Sequence, residues 1–231
     1  MSISQKKPER IAKVIAGSGF CSRRDAEKLI AQGRVKINGK MLVTPALTVT
    51  DEKITIDDKP LKASVAPRLF LYYKPIGLVT SHRDEKGRDT VFEKLPKDMP
   101  RVISVGRLDL NSEGLLLLTT DGETARRFEL PSSGYNRVYR VRVFGKVQIN
   151  ELKKLRQGIT IDKIRYAPLE VEIEKLATNS WLRIVLHEGK NREIRKILKH
   201  FGLEVNRLIR VEYGEYKLGD LKPGEVKEIS L

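Results

Sequence analysis

Cysteine is nearly absent from this sequence. Cys21 is the only one in 231 residues, which excludes an internal disulfide and fits a reducing compartment. Histidine is almost as scarce: His82, His187 and His200 are scattered, and with a lone cysteine they offer no metal-ligand spacing. No glycine-rich nucleotide loop occurs. The longest aliphatic run, Leu115 to Leu118, is far short of the ~20 residues that a bilayer requires. The opening M-S-I-S-Q-K-K-P-E-R lacks the apolar segment of an export signal. The expectation is a cytoplasmic protein with no membrane contact, no metal and no cofactor.

Acidic residues are outnumbered as well. Lys and Arg total 45 against 30 Asp and Glu, a net +15. A charge of that size favours a polyanionic partner, although a basic surface alone does not require one, so its placement decides. Residues 183 to 210 hold eight cationic side chains against three acids. Within them Arg192, Arg195, Lys196 and Lys199 follow i, i+3, i+4, i+7, while Ile194, Ile197, Leu198 and Phe201 repeat on the opposite face. That spacing predicts an amphipathic helix over 191–201 with a basic outer stripe, capped by Asn191 at its start and Gly202 at its end. A stripe of one sign suits a row of phosphates better than it suits plain solvent.

The stretch G-R-L-D-L-N-S-E-G-L-L-L-L-T-T-D-G, residues 106 to 122, seats one carboxylate, Asp109, between two apolar segments. Val102, Ile103 and Val105 lead in and Leu115 to Leu118 lead out, so a loop held between two strands is predicted. Asn111, Ser112 and Gly114 suit a tight connection there. An aspartate so placed can do chemistry, or can cap a turn in solvent.

Arg137 to Phe144 and Leu169 to Ile173 alternate apolar with polar residues and predict half-buried antiparallel strands. Helical spacing at 123–130, 149–157 and 191–201 is dispersed among them, which predicts an α+β domain on a large, mostly antiparallel sheet flanked by helices. Trp181, the only tryptophan, is expected in the core. The first part of the chain differs. Ile11, Val14 and Ile15 mark one short helix, Ser22 starts a second, and Arg34 to Ile37, Asn38-Gly39 and Lys40 to Val43 predict a hairpin, with Ile54 to Ile56 a further strand. Arg23, Arg24 and Lys28 lie about a turn apart on the second helix, and Arg34 and Lys36 follow on the strand. They suit one nucleic-acid backbone or a solvated face equally. Residues 1–67 carry 13 Lys and Arg against seven acids, which favours the former. The boundary is placed at 1–67 and 68–231, with a linker over Lys62 to Arg68.

Residues 106–122 resemble the signature of the bacterial ribosomal-RNA pseudouridine synthases. So do Y-Y-K-P-I-G-L-V-T-S (72–81), R-V-Y-R-V-R-V-F-G (137–145), H-E-G-K-N-R-E-I-R-K (187–196) and N-R-L-I-R-V-E-Y-G (206–214), in family order. The stretch R-D-T-V-F-E-K-L-P and the N-R-E-I-R variant resemble the members that modify large-subunit RNA. S-R-R-D-A-E-K-L-I-A-Q-G-R-V-K-I-N-G-K resembles the alpha-L RNA-binding domain of a small-subunit ribosomal protein, built of two helices and a small antiparallel sheet.

The resemblance implies an enzyme that turns one uridine into pseudouridine without a cofactor. It implies Asp109 as the catalytic carboxylate, Arg195 as the ion-pair partner that holds it ionised, and Tyr139 as the aromatic against the flipped uracil. Core packing is the other role open to Tyr139, and a phosphate contact the other open to Arg195. Arg107 is implied to enter the helix that the base leaves or to hold a phosphate. Lys74 is placed at the same pocket, and Arg192, Arg207 and Arg210 are placed on the substrate backbone. The expected partner is ribosomal RNA, 23S RNA or a pre-ribosomal particle, bound by a monomer at a stem-loop uridine. Two readings stay beside it: a small-subunit (16S) enzyme, and a noncatalytic RNA-binding assembly factor in which Asp109 is incidental.

Overall fold

The computed structural model describes residues 7–63 and 66–230. The N-terminal decapeptide's first six positions and residues 64 and 65 of the expected linker lie outside the described residues. The chain forms two compact units. One takes the described residues up to Arg68 with Met99–Ile103 and Thr120–Gly122, the other Leu69–Asp98, Ser104–Thr119 and the chain from Glu123 onward.

In the first unit Glu9–Arg10 (β1) leads into Ile11–Gly17 (α1) and Arg23–Ala31 (α2). Ser22 starts α2 as expected, its Oγ accepting the Asp25 N–H at 3.1 Å. Val35–Ile37 (β2), Lys40–Met41 (β3), Thr48–Val49 (β4), Ile54–Ile56 (β5) and Lys59–Pro60 (β6) follow, the sheet running β3-β2-β5-β6 with β1 beside β4. Asn38 and Gly39 both have positive φ, 49° and 82°, the conformation a two-residue hairpin turn requires. Ile11, Ile15, Ala26, Ile30, Val35, Val49, Ile54 and Ile56 fill the core between helices and sheet.

The second unit is built on Leu69–Lys74 (β7), Ile103–Ser104 (β8), Glu113–Thr119 (β9), Arg137–Phe144 (β10), Ile159–Ile161 (β11), Ile164–Tyr166 (β12), Leu169–Lys175 (β13), Asn179–Leu186 (β14), Glu204–Tyr213 (β15), Tyr216–Lys217 (β16) and Val226–Ile229 (β17). Its helices are Gly122–Glu129 (α3), Ile149–Lys153 (α4), which tightens into a 3-10 turn to Gln157, and Glu193–His200 (α5). The main sheet runs β13-β14-β10-β15-β9-β7-β17, every pair antiparallel except β9 with β15. β7 and β9 lie inside it and are buried at every position, which is why they are continuous apolar runs. β10, inside the sheet, and β13, at its edge, each have one buried face and alternate instead.

Two expectations are corrected here. Asn191 does not cap α5: Arg192 stands at the N-cap in the left-handed conformation (φ 52°, ψ 32°), and the helix starts at Glu193. The other end is as expected. Gly202 donates to the Lys199 carbonyl (3.0 Å) and Leu203 to that of Leu198 (2.9 Å), a Schellman closure on a left-handed glycine. Trp181 is half-buried rather than core, with the Arg140 guanidinium 5.1 Å above its ring.

Candidate active site

The loop from Gly106 to Ser112 joins β8 to β9, and the carbonyls of five consecutive residues in it are taken by donors from elsewhere in the unit. Thr80 Oγ1 donates to Leu108 O (2.9 Å), Lys74 Nζ to Asp109 O (3.1 Å), Gly77 N–H to Leu110 O (2.9 Å), Arg195 Nη2 to Asn111 O (2.7 Å) and Lys74 Nζ again to Ser112 O (2.8 Å). The Leu108 N–H returns a bond to Thr80 Oγ1 (3.3 Å), and the Ser112 N–H closes a turn onto Asp109 O (3.0 Å). A backbone bonded at each residue cannot drift, so the Asp109 side chain has a fixed origin. That side chain is 37 % exposed, with Arg192 Nη1 at 3.7 Å from its Oδ2. The result is a rigidly mounted, half-open carboxylate beside a guanidinium.

Lys74 belongs under this loop rather than in the pocket where it was expected. It is fully buried, and its ammonium is spent on the carbonyls of Pro75, Asp109 and Ser112. Burial pulls its pKa down to about 8, against the opposing pull of the Asp109 and Glu113 charges. It therefore holds the loop and cannot touch a substrate. Arg195 is likewise a loop anchor. Its second bond goes to Val205 O (3.0 Å), and the ion pair expected between it and Asp109 is formed by Arg192 instead. Burial, then the Arg192 charge, lower the Arg195 pKa, while the nearby Asp109 charge raises it. The three groups thus share one electrostatic neighbourhood. The helix's basic stripe is split accordingly: Lys196 and Lys199 face solvent, and Arg192 and Arg195 turn to the loop.

Other expected contacts move too. Arg210 is only 2 % exposed, bonded through Nε to Leu115 O (2.7 Å) and lying 5.0 Å from the Tyr213 ring centre, so it is unavailable to an RNA backbone. Arg207 grips Glu113 with two bonds, 2.6 and 3.1 Å, and Glu113 also accepts the Tyr73 hydroxyl at 2.9 Å. Sequence reasoning missed this buried carboxylate, whose pKa these donors lower although burial alone would raise it. Its position directly before Gly114 was the available signal. Tyr139 is buried on β10, directly opposite Arg210 on β15, which in turn is opposite Gly114 and Lys74 on the next two strands. Residues paired in this way share a face of the sheet, so Tyr139 sits in the row that ends at the loop's anchor. Arg107 is exposed on the loop.

In the first unit Arg23, Arg24 and Lys28 are exposed on α2. Arg34 and Lys36 are not free cations: they pair with Asp57 and Asp58, the two left-handed residues of the β5–β6 turn. Among the described residues no group of three or more His, Cys, Asp or Glu could hold a metal, and no helix is long and apolar enough to cross a membrane.

A family model described as RNA pseudouridylate synthase matches residues 68–200, and an S4 domain model matches residues 9–55. An uncharacterized RNA pseudouridine synthase of Rickettsia bellii is 53 % identical over 96 % of this chain and 97 % of its own length. The ribosomal large subunit pseudouridine synthase B of Salmonella typhi is 40 % identical over 91 % of this chain and 75 % of its own. A crystal structure of a pseudouridylate synthase, 26 % identical, superposes with a TM-score of 0.68 over 96 % of both chains.

Proposed function

The chain belongs to the RNA pseudouridylate synthase family, and from that premise we propose that its substrate is a stem-loop uridine of large-subunit ribosomal RNA. The reaction breaks the bond from uracil N1 to ribose C1′, turns the base and joins C1′ to C5. The C5 proton leaves and N1 gains one, so atoms balance without an oxidant. A positioned carboxylate can begin this by adding to the sugar or the base, or by promoting a glycal. Asp109 is that carboxylate, and the observation that carries the reading is its mounting: five clamped carbonyls beneath a half-open side chain beside Arg192. The target uridine must leave its stack, at a cost of a few kcal/mol. Tyr139 is assigned to the face of the extruded uracil and Arg107 to the gap left behind or to a neighbouring phosphate. Lys196 and Lys199, exposed on α5, supply phosphate contacts.

Residues 1–67 hold the RNA and residues 68–231 carry the chemistry, in a monomer acting in the cytoplasm. Large-subunit RNA is favoured by the 40 % identity to an enzyme named for that subunit. Mapping pseudouridine in ribosomal RNA from cells with and without the gene tests the target. One 23S position should disappear, whereas loss of a 16S position would replace this assignment and loss of none would remove it.

The first unit's share has its own test. Replacing Arg23, Arg24 and Lys28 with alanine is expected to weaken binding to a ribosomal stem-loop and to reduce the slope of log K against log salt by about two, since each phosphate contact contributes roughly 0.7–0.9. An unchanged slope in a salt titration would take these three side chains off the RNA.

A further inference from the structure

Glu193 is an acid inside a basic segment, and the isomerisation chemistry gives it no part. It is 3 % exposed at the first turn of α5. Its Oε2 accepts the Lys190 N–H at 3.0 Å, while its own N–H reaches back to the Lys190 carbonyl at 3.3 Å, and its buried Oε1 takes no donor N–H, the side chain lying against the Glu188 carboxyl. These two bonds close a four-residue turn, 190–193, around Arg192. Arg192 is left-handed there, a conformation that any residue with a Cβ adopts at a cost, so something must hold it. The groups facing Glu193 are Glu188 and Lys190. Glu188 is itself fixed by the Ala167 N–H (2.7 Å) and the Lys190 ammonium. Burial first, and then Glu188, push the Glu193 carboxyl up to about 7, while the Lys190 N–H works against that rise. An uncharged acceptor of the same length can still take the Lys190 N–H, although the ionised carboxylate takes it more strongly.

We propose that Glu193 is a positioning residue for the reaction: its buried carboxyl closes the turn that holds Arg192 in the left-handed conformation from which the guanidinium meets Asp109. This rests on Asp109 being the catalytic carboxylate. The side chain acts only through Arg192. It neither touches RNA nor transfers a proton.

Four single variants and one double variant test it by single-turnover rate and by RNA affinity. Glu193→Met fills the same volume without an acceptor and is expected to lower the rate roughly 10- to 100-fold, the scale of an ångström-sized misplacement, with affinity within about twofold. Glu193→Asp, one methylene short of the Lys190 N–H, is expected to fall with it, and decides the matter if thermal melting shows the Met variant unfolded. Glu193→Gln keeps an acceptor and should recover to within about threefold of the parent. Added to Arg192→Ala, Glu193→Asp should cost less than about twofold more, because the group it positions is gone. A parent-like rate in both Met and Asp variants, or an undiminished Asp effect in the Arg192→Ala background, overturns the inference. Asp109→Asn, assayed alongside, separates the two levels. Turnover retained in Asp109→Asn removes the catalytic reading itself, whereas turnover lost there with Glu193 variants unaffected removes only the positioning role.

Discussion

Asp109→Asn is expected to lower the rate of uridine isomerisation by at least about 10³-fold, roughly 4 kcal/mol of barrier, while leaving the melting temperature and RNA affinity almost unchanged. The asymmetry follows from where the loop's order comes from. Its five clamped carbonyls belong to the backbone and survive the substitution, as does the side chain's volume. What disappears is a negative charge and a nucleophilic or basic oxygen. The stabilising interaction that goes with them is a half-exposed ion pair at 3.7 Å to Arg192, and such pairs contribute about 0–1 kcal/mol. Stem-loop affinity, drawn from cations elsewhere on the surface, has no reason to fall. A variant that still turned over at a tenth of the parent rate would deny Asp109 its role. One that lost rate and melting temperature together would show that the carboxylate holds the loop, which the backbone bonds argue against.

What the sequence made visible, and what it hid, divides along a physical line. The strand Arg137–Phe144 was predicted to the residue because alternation is a local consequence of one buried face. The turn at Asn38-Gly39 was equally legible, since asparagine and glycine adopt positive φ at little cost. The neighbouring turn at Asp57-Asp58 was not. It uses the same conformation with residues that seldom advertise it, and the strands it joins to the sheet are only two or three residues long. Helix α5 was visible in its periodicity but starts two residues late, because Arg192 occupies a conformation that an apolar pattern does not encode.

The candidate site was legible at its proposed centre and illegible in its supports. Asp109 stood out from its flanking residues, yet Lys74, Gly77, Thr80 and Arg195, which hold its loop, are strung along more than a hundred positions. A lysine beside a proline looks the same in sequence whether its ammonium is in water or under three carbonyls, since strand register decides between them. Arg192 and Arg195 are three positions apart on one helical face, so spacing alone could not say which would meet the carboxylate. The answer lies in the left-handed turn before the helix, which aims Arg192 outward to Asp109 and leaves Arg195 to the Asn111 carbonyl.

Gly114 is where loop, sheet and site depend on the same missing atom, and Gly114→Ala is expected to destabilise the protein by about 4 kcal/mol, lowering its melting temperature by about 10 °C. At this position β9 pairs with Lys74 of β7 on one side and, in parallel, with Arg210 of β15 on the other. Its φ is +103°, which an L side chain rarely adopts. A Cβ there would lie 2.3 Å from the Arg210 carbonyl oxygen and 2.8 Å from its nitrogen. Both are backbone atoms of a strand paired on each side, so neither can step back without parting β15 from β9 or from β10. Parting them would also disturb the Arg210 bond to Leu115 O and the register that brings Lys74 beneath the Asp109 loop. Gly87→Ala supplies the control, because Gly87 also has positive φ (+66°) but open space where its Cβ would go. That substitution should cost only about 1 kcal/mol, the conformational part alone. Chemical denaturation of the two variants side by side isolates the clash. If Gly114→Ala falls within about 1 kcal/mol of Gly87→Ala, the close approach of β15 is not what requires glycine at this position.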